Sequence, residues 1–278
     1  PKLMRLGVSL AVSFSAATGF LVAGSSYDSK ISFTVVGVFL MAGGASALNQ
    51  FQERRTDALM SRTEKRPIPS GKISAQSGFI ISILLSLSGF LLLYYKAGTI
   101  PAILGLLNML WYNGIYTPLK KKTAFAVVPG SLTGVTPLLI GWSAAEGYLL
   151  NPVIIFICFF IYMWQIPHFW LLLIKYNSDY EKAGLGNLSR LFSYKQVKRI
   201  VFVWILATSV TSLLLPYFRI IDSVPLIILM IVSNIWIVSS FYRIIFNQQE
   251  VFNYRKAFIE INAFMIFIMI ILILNSVV

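Results

Sequence analysis

Residues 49–74 read NQFQERRTDALMSRTEKRPIPSGKIS. An apolar run ends just before them. Asn49, Glu53 and Asp57 then recur at strict four-residue spacing. On a helix that step turns only about 40°, so all three fall on one face over roughly 12 Å. Arg54, Arg55, Arg62, Lys65, Arg66 and Lys72 crowd around them. Two carboxylates and an amide oxygen suit a hard ion such as Mg²⁺, and Lys and Arg suit the charge of a diphosphate bound through it. The same stretch also suits a solvated loop on the positively charged side of a membrane protein. Pro67, Pro69 and Gly71 predict that helix stops after Arg66, leaving 67–74 as a turn or lid.

Composition bounds the class. The chain has 278 residues, 57% of them hydrophobic and only 12% charged. A soluble domain cannot bury that much apolar surface, so a polytopic membrane protein is expected, with the lipid bilayer as its solvent. The net charge of +13 would suit nucleic acid, but the cations sit in short loops between apolar runs, so no nucleic-acid partner is expected. One cysteine, Cys158, and one histidine, His168, exclude a disulfide framework and the usual four-ligand zinc site built from them.

Nine apolar segments follow one another, at about 6–24, 31–48, 76–95, 98–116, 124–145, 150–167, 200–218, 223–242 and 257–277. Each is long enough to cross a hydrocarbon core of about 30 Å. The first ends in small residues like a signal peptide, but eight more follow, so an uncleaved span is expected. With the N-terminus cytoplasmic, 20 of the 23 Lys and Arg fall in inner loops and only Lys30, Lys96 and Arg219 fall outside. The long charged loops 49–75 and 168–199 are both internal. Chemistry on a water-soluble phosphate is therefore expected on the cytoplasmic side. The second and sixth segments each deliver an acidic and basic loop, a weak repeat that would bring the two loops together. Gly130, Gly134, Pro137 and Gly141 interrupt the fifth segment, most simply for close helix packing.

Three further motifs carry chemistry. DYEKAG places Asp179 and Glu181 just beyond the sixth segment. Facing the Asn49, Glu53 and Asp57 site, it could hold a second Mg²⁺ on the same diphosphate. Tyr116, Thr117 and Pro118 lead into Lys120, Lys121 and Lys122. That triplet is either a topology signal or a phosphate clamp with Tyr116 beside it. WQIPHFW, Trp164 to Trp170, places His168 among aromatics, as an interfacial residue or as a partner for a flat aromatic substrate.

The pattern N-x-x-x-[D/E]-x-x-x-D, then R-T-x-x-R-P and G-x-I-S, resembles the first motif of UbiA-type intramembrane prenyltransferases. Here it reads Asn49, Glu53, Asp57, Arg62, Thr63, Arg66, Pro67, Gly71, Ile73 and Ser74. Within that superfamily the chain is similar to the protoheme IX farnesyltransferase (haem O synthase) branch. The likeness lies in Y-T-x-L-K at 116–120, L-I-G-W at 139–142, P-H-F-W at 167–170 and K-x-x-x-D-Y at 175–180. It covers nearly the whole chain. It departs at Glu53, where Asp is usual, and at Ala183, which breaks a second D-x-x-x-D.

The resemblance implies an all-α membrane fold, nine transmembrane helices around a central cavity with a cytoplasmic cap of loop helices, as one domain over 1–278. It implies Mg²⁺-dependent transfer of a farnesyl group from farnesyl diphosphate to a vinyl group of protoheme IX. Asn49, Glu53, Asp57 and Asp179 would serve metal and diphosphate. Arg62, Arg66, Lys120 or Lys121, and Lys175 would neutralise phosphate, and His168 would lie near the haem. The implied location is a bacterial inner (plasma) membrane. A quinone-precursor ring is the alternative acceptor. A membrane transporter and a non-catalytic haem or oxidase assembly factor are alternatives of another class. Against transport, ionisable residues are scarce at the span centres.

Overall fold

A computed structural model describes residues 2–24, 29–186, 191–246 and 253–277, and all regular structure within them is helical. Arg190, counted among the inner-loop cations, lies outside the described residues.

Each of the nine apolar runs falls on a helical segment. These are α1 (Leu6–Val22), α2 (Lys30–Asp57), α3 (Ala75–Lys96) and α4 (Thr99–Leu110). The last runs on through a π-helical turn, Trp111–Tyr116, into α5 (Thr117–Leu119). A 3₁₀ turn at Ala124–Ala126 leads through α6 (Val127–Gly130) to α7 (Leu132–Ala144). Then come α8 (Pro152–Lys175), the short α9 (Asn177–Lys182), α10 (Tyr194–Leu213), α11 (Val224–Phe246) and α12 (Tyr254–Val277). Among the described residues, seven helical stretches are long and apolar enough to cross a membrane; α1 is shorter and α4 is broken by its π turn.

Two boundaries differ from the apolar runs. Helix α2 continues past the apolar residues to Asp57, which puts Asn49, Glu53 and Asp57 on helix rather than in loop. Helix α8 runs through Pro167 to Lys175, so His168 sits within a helix and not at its end. A proline costs one backbone hydrogen bond, which neighbouring helices can absorb in a membrane protein. Polar caps mark the starts. The Ser74 hydroxyl accepts from the Ser77 N–H, and the Asn151 side chain accepts from the Val153 N–H just ahead of Pro152. Ser193 and Gln196 cap each other's backbone at the start of α10.

The chain divides into two compact units. The first holds residues 1–149 with 178–186, and α2 is its hub, packed on α1, α3 and α7. Small residues bring these backbones together. A Cβ on Gly44 would stand 2.2 Å from the Ser86 hydroxyl, and one on Gly141 only 1.8 Å from the Ala16 carbonyl oxygen. Gly141→Ala therefore forces α1 away from α7, and a loss of about 1–3 kcal/mol is expected. Gly7→Ala, which meets nothing within 4 Å, serves as control. Thermal unfolding in detergent would show a lower midpoint for Gly141→Ala alone; equal midpoints would contradict this packing.

The second unit holds 150–177 and 187–278. Helices α10 and α11 are tied by Ser209 and Ser212, whose hydroxyls both donate to Asn234 Oδ1 at 2.7 and 2.8 Å. Helix α12 joins α11 through Ser240, which donates to the Glu260 carboxylate, and joins α8 through the Trp164 indole N–H to the Ile261 carbonyl.

Candidate active site

The last turns of α2 carry Asn49, Glu53 and Asp57 on one face, and all three are buried. Buried acids need partners. Glu53 Oε2 accepts from Lys120 at 2.5 Å, and Asp57 Oδ2 accepts from Arg66 at 2.7 Å. The amide nitrogen of Asn49 donates to the Thr117 hydroxyl at 3.0 Å.

The π turn explains how Lys120 reaches Glu53. A π turn leaves backbone carbonyls without ordinary helical partners. The Asn113 carbonyl accepts from Gln52 Nε2 at 3.1 Å, and the Tyr112 carbonyl accepts from the Thr117 hydroxyl at 2.9 Å. The Asn113 side chain returns a bond to Gln52 Oε1 and adds one to the Ala45 carbonyl, both at 3.1 Å. Helix α2 and the π turn are thus pinned face to face, with Lys120 one turn further on. The Tyr116 ring stacks on Tyr112, and the Lys120 ammonium lies 5.7 Å from the Tyr116 ring centre. Gly130 allows this, since a Cβ there would lie 2.5 Å from the Tyr116 ring.

The turn after α2 is held from below. The Thr63 hydroxyl donates to the Asp57 carbonyl, and Pro67 and Ile68 are buried. Helix ends at Asp57, earlier than the break expected after Arg66, and turns and bends run from Ala58 to Ile73, so the expected turn over 67–74 is present. These turns meet the segment carrying Asp179. Its carboxylate accepts from the Ser61 hydroxyl at 3.0 and 2.9 Å and from the Arg62 backbone N–H at 3.2 Å. The Gly186 N–H donates to the Lys120 carbonyl, closing the segment over the same region.

The first acidic motif, Arg62, Arg66, Tyr116, Lys120 and Asp179 are therefore gathered in one unit. Lys121 follows Lys120 but is exposed. His168 and Lys175 belong to the other unit. There the His168 ring lies against Trp164, Phe169 and Phe258, and the Lys175 ammonium lies over the Tyr176 ring. Sequence reasoning missed Gln52, Ser61, Asn113 and Thr117. Gln52 could have been suspected one residue before Glu53; the others become visible only through their partners.

Electrostatics follow the geometry. Burial pushes the Arg66 guanidinium below its usual value, against the pull of Asp57, and the nearby Arg5 and Arg62 push the same way. Burial most strongly opposes the charge on Lys120, but Glu53, Tyr112 and Tyr180 together outweigh it and lift the ammonium above its usual value. Burial opposes the Asp179 charge as well, yet the Ser61 hydroxyl and the Arg62 N–H hold its carboxyl below the ordinary range. A depressed carboxyl contributes stability above its unfolded pKa, near 3.9, and loses it as pH falls through the folded value. Acidification from about pH 6 towards about pH 3 should therefore lower the unfolding midpoint more in the parent than in Asp179→Asn. Parallel midpoints across that range would contradict it.

The donor set can be tested against a metal. Every candidate ligand is an oxygen, and Glu53 Oε1 is buried with no hydrogen-bond partner. Among the described residues, no three Asp, Glu, His or Cys side chains gather closely enough to hold an ion alone. Mg²⁺ commonly takes one or two carboxylates and completes its shell with substrate phosphates and water. The residues present fit that arrangement.

Residues 11–270 match the UbiA prenyltransferase family. The chain belongs to that family. A protoheme IX farnesyltransferase of Nitratidesulfovibrio vulgaris (strain DP4) is 33% identical over 84% of this chain and 81% of its own length. Among solved structures, that of digeranylgeranylglyceryl phosphate synthase superposes with a TM-score of 0.78 at 16% identity, covering 99% of this chain and 96% of that one. A UbiA homologue from Archaeoglobus fulgidus bound to GPP and Mg²⁺ gives 0.69 at 16% identity, over 98% of both chains. At such identities the structures show the fold. UbiA membership makes this a multi-pass membrane prenyltransferase, and of the motif residues read from 49–74, Asn49, Glu53 and Asp57 form the buried acidic face of α2.

Proposed function

We propose that the chain, acting as one domain, moves a farnesyl group from farnesyl diphosphate to a vinyl group of protoheme IX. The observation that carries this reading is the set of relatives named protoheme IX farnesyltransferase, which align along most of both chains. The site's chemistry suits the donor half of the reaction. Asn49, Glu53, Asp57 and Asp179 offer oxygens to Mg²⁺. When bound there, Mg²⁺ supplies positive charge that stabilises the departing diphosphate. Arg62, Arg66, Lys120 and Lys121 take phosphate charge. For Arg66 and Lys120 this means exchanging a carboxylate partner for a phosphate one. The Tyr116 ring, already 5.7 Å from the Lys120 ammonium, would shield an allylic cation by the same kind of contact. The distribution of Lys and Arg supports a cytoplasmic N-terminus and a cytoplasmic site in a bacterial plasma membrane.

Diphosphate release by purified protein, with haem B or a hydroxylated aromatic acid as acceptor and with or without a chelator, tests this reading. Release that needs haem B and stops on chelation is expected. Release with the aromatic acid alone would transfer the reading to a quinone-precursor ring.

A further inference from the structure

Thr117 joins the π turn to the first residue of the acidic face, and both Thr117 and Asn49 are buried. In an α-helix the Thr117 N–H would bond to the Asn113 carbonyl. The π turn moves it back to the Tyr112 carbonyl, and the Thr117 hydroxyl donates to that same oxygen at 2.9 Å. A threonine hydroxyl has one proton. With that proton committed to Tyr112, the Thr117 oxygen can only accept. Asn49 therefore meets it with its amide nitrogen, at 3.0 Å. Were the amide turned over, Oδ1 would face an oxygen with no proton to give.

The bond thus selects one of the two ways an amide can lie, and leaves Oδ1 as the limb open to another partner. One turn further along the same face of α2, Glu53 Oε1 is buried with no hydrogen-bond partner. The Gln52 and Asn113 pair, three residues along α2 from Asn49 and four back from Thr117, holds the two backbones at this spacing. All of these residues lie in the first unit. A hard cation takes an amide through its oxygen and is repelled by the NH₂. We infer that Thr117 is a positioning residue for the divalent cation: its hydroxyl holds the Asn49 amide with the oxygen, and not the NH₂, free for the metal. The group that orients a ligand governs metal affinity nearly as the ligand does. This inference rests on the metal reading above.

The test uses the full chain in detergent with Mn²⁺ alone, an oxygen-preferring ion whose unbound fraction is read from its EPR signal. Thr117→Val keeps the branched shape and removes the hydroxyl. Its Mn²⁺ affinity should fall roughly 10–100-fold, the usual cost of losing a group that orients a metal ligand. The Mg²⁺ concentration for half-maximal diphosphate release should rise in step. Thr117→Ser keeps the hydroxyl and should bind Mn²⁺ like the parent. Asn49→Asp offers an oxygen whichever way it turns, so adding Thr117→Val to it should leave Mn²⁺ affinity nearly unchanged. Should Thr117→Val fail to fold, Thr117→Ala removes the same hydroxyl and is read the same way. A lower unfolding midpoint with parental Mn²⁺ affinity would reduce Thr117 to a structural role and overturn the inference while leaving the metal reading intact. Equal losses with and without Asn49→Asp would do the same. A parent that binds no Mn²⁺ overturns both.

Discussion

Asp57→Asn should abolish turnover and leave a folded protein. Asp57 ends α2, is buried, and holds Arg66 at 2.7 Å. The amide keeps the shape but removes the charge that a metal and a guanidinium both need. Electrostatic groups of this kind are typically worth about 10²–10³ in rate, and loss of a proposed metal ligand should reach at least that. The Arg66 guanidinium, whose charge burial already disfavours, would lose the anion it pairs with. Some loss of stability is therefore expected alongside the loss of rate. The two effects separate on measurement. Circular dichroism and size-exclusion profiles should match the parent, while diphosphate release falls to background at any Mg²⁺ concentration. An Asp57→Asn protein with near-parental turnover would remove Asp57 from the metal site.

Lys120→Met should cost both stability and activity, for a different reason. Among the described residues the ammonium is the one cation in a salt bridge with Glu53, and Glu53 is 2% exposed. Removing one partner of a buried pair strands the other charge, typically at about 3–5 kcal/mol. Glu53→Gln placed on top should recover much of that stability, because no charge is then left unpaired. It should not recover turnover, since the double variant lacks both a proposed metal ligand and a phosphate cation. Thermal unfolding of the two single variants and the double variant measures the coupling. Additive losses of stability would mean that the pair is not formed, and parental activity in the double variant would remove both residues from the site.

The fold was largely legible because hydrophobic length is a strong signal in a membrane protein. The apolar runs all fall on helix among the described residues, and seven of the helical stretches are long and apolar enough to cross a membrane. What the runs could not show was helix continuing under polar sequence. Asn49 to Asp57 looks like loop by hydropathy, yet it is helix because its buried face is paired, Glu53 to Lys120 and Asp57 to Arg66. Likewise the sixth apolar run ends at about 167, while α8 continues to Lys175. Four-residue spacing correctly placed the acids on one face. The partners were harder to see. Lys120 lies far from Glu53 in sequence and is delivered by a π turn, and no local pattern announces the Gln52 and Asn113 bonds that hold it. Asp179 was recognisable as an acid in a charged loop; its anchors, Ser61 and the Arg62 N–H, were not.

The first experiment is mass spectrometry of the haem after incubating purified protein with haem B, farnesyl diphosphate and Mg²⁺. The expected product is haem heavier by a farnesyl group plus water, formed only with Mg²⁺ present and missing for Asp57→Asn. Folded, haem-binding protein that returns haem B unchanged, whatever the prenyl diphosphate supplied, would contradict the proposed function.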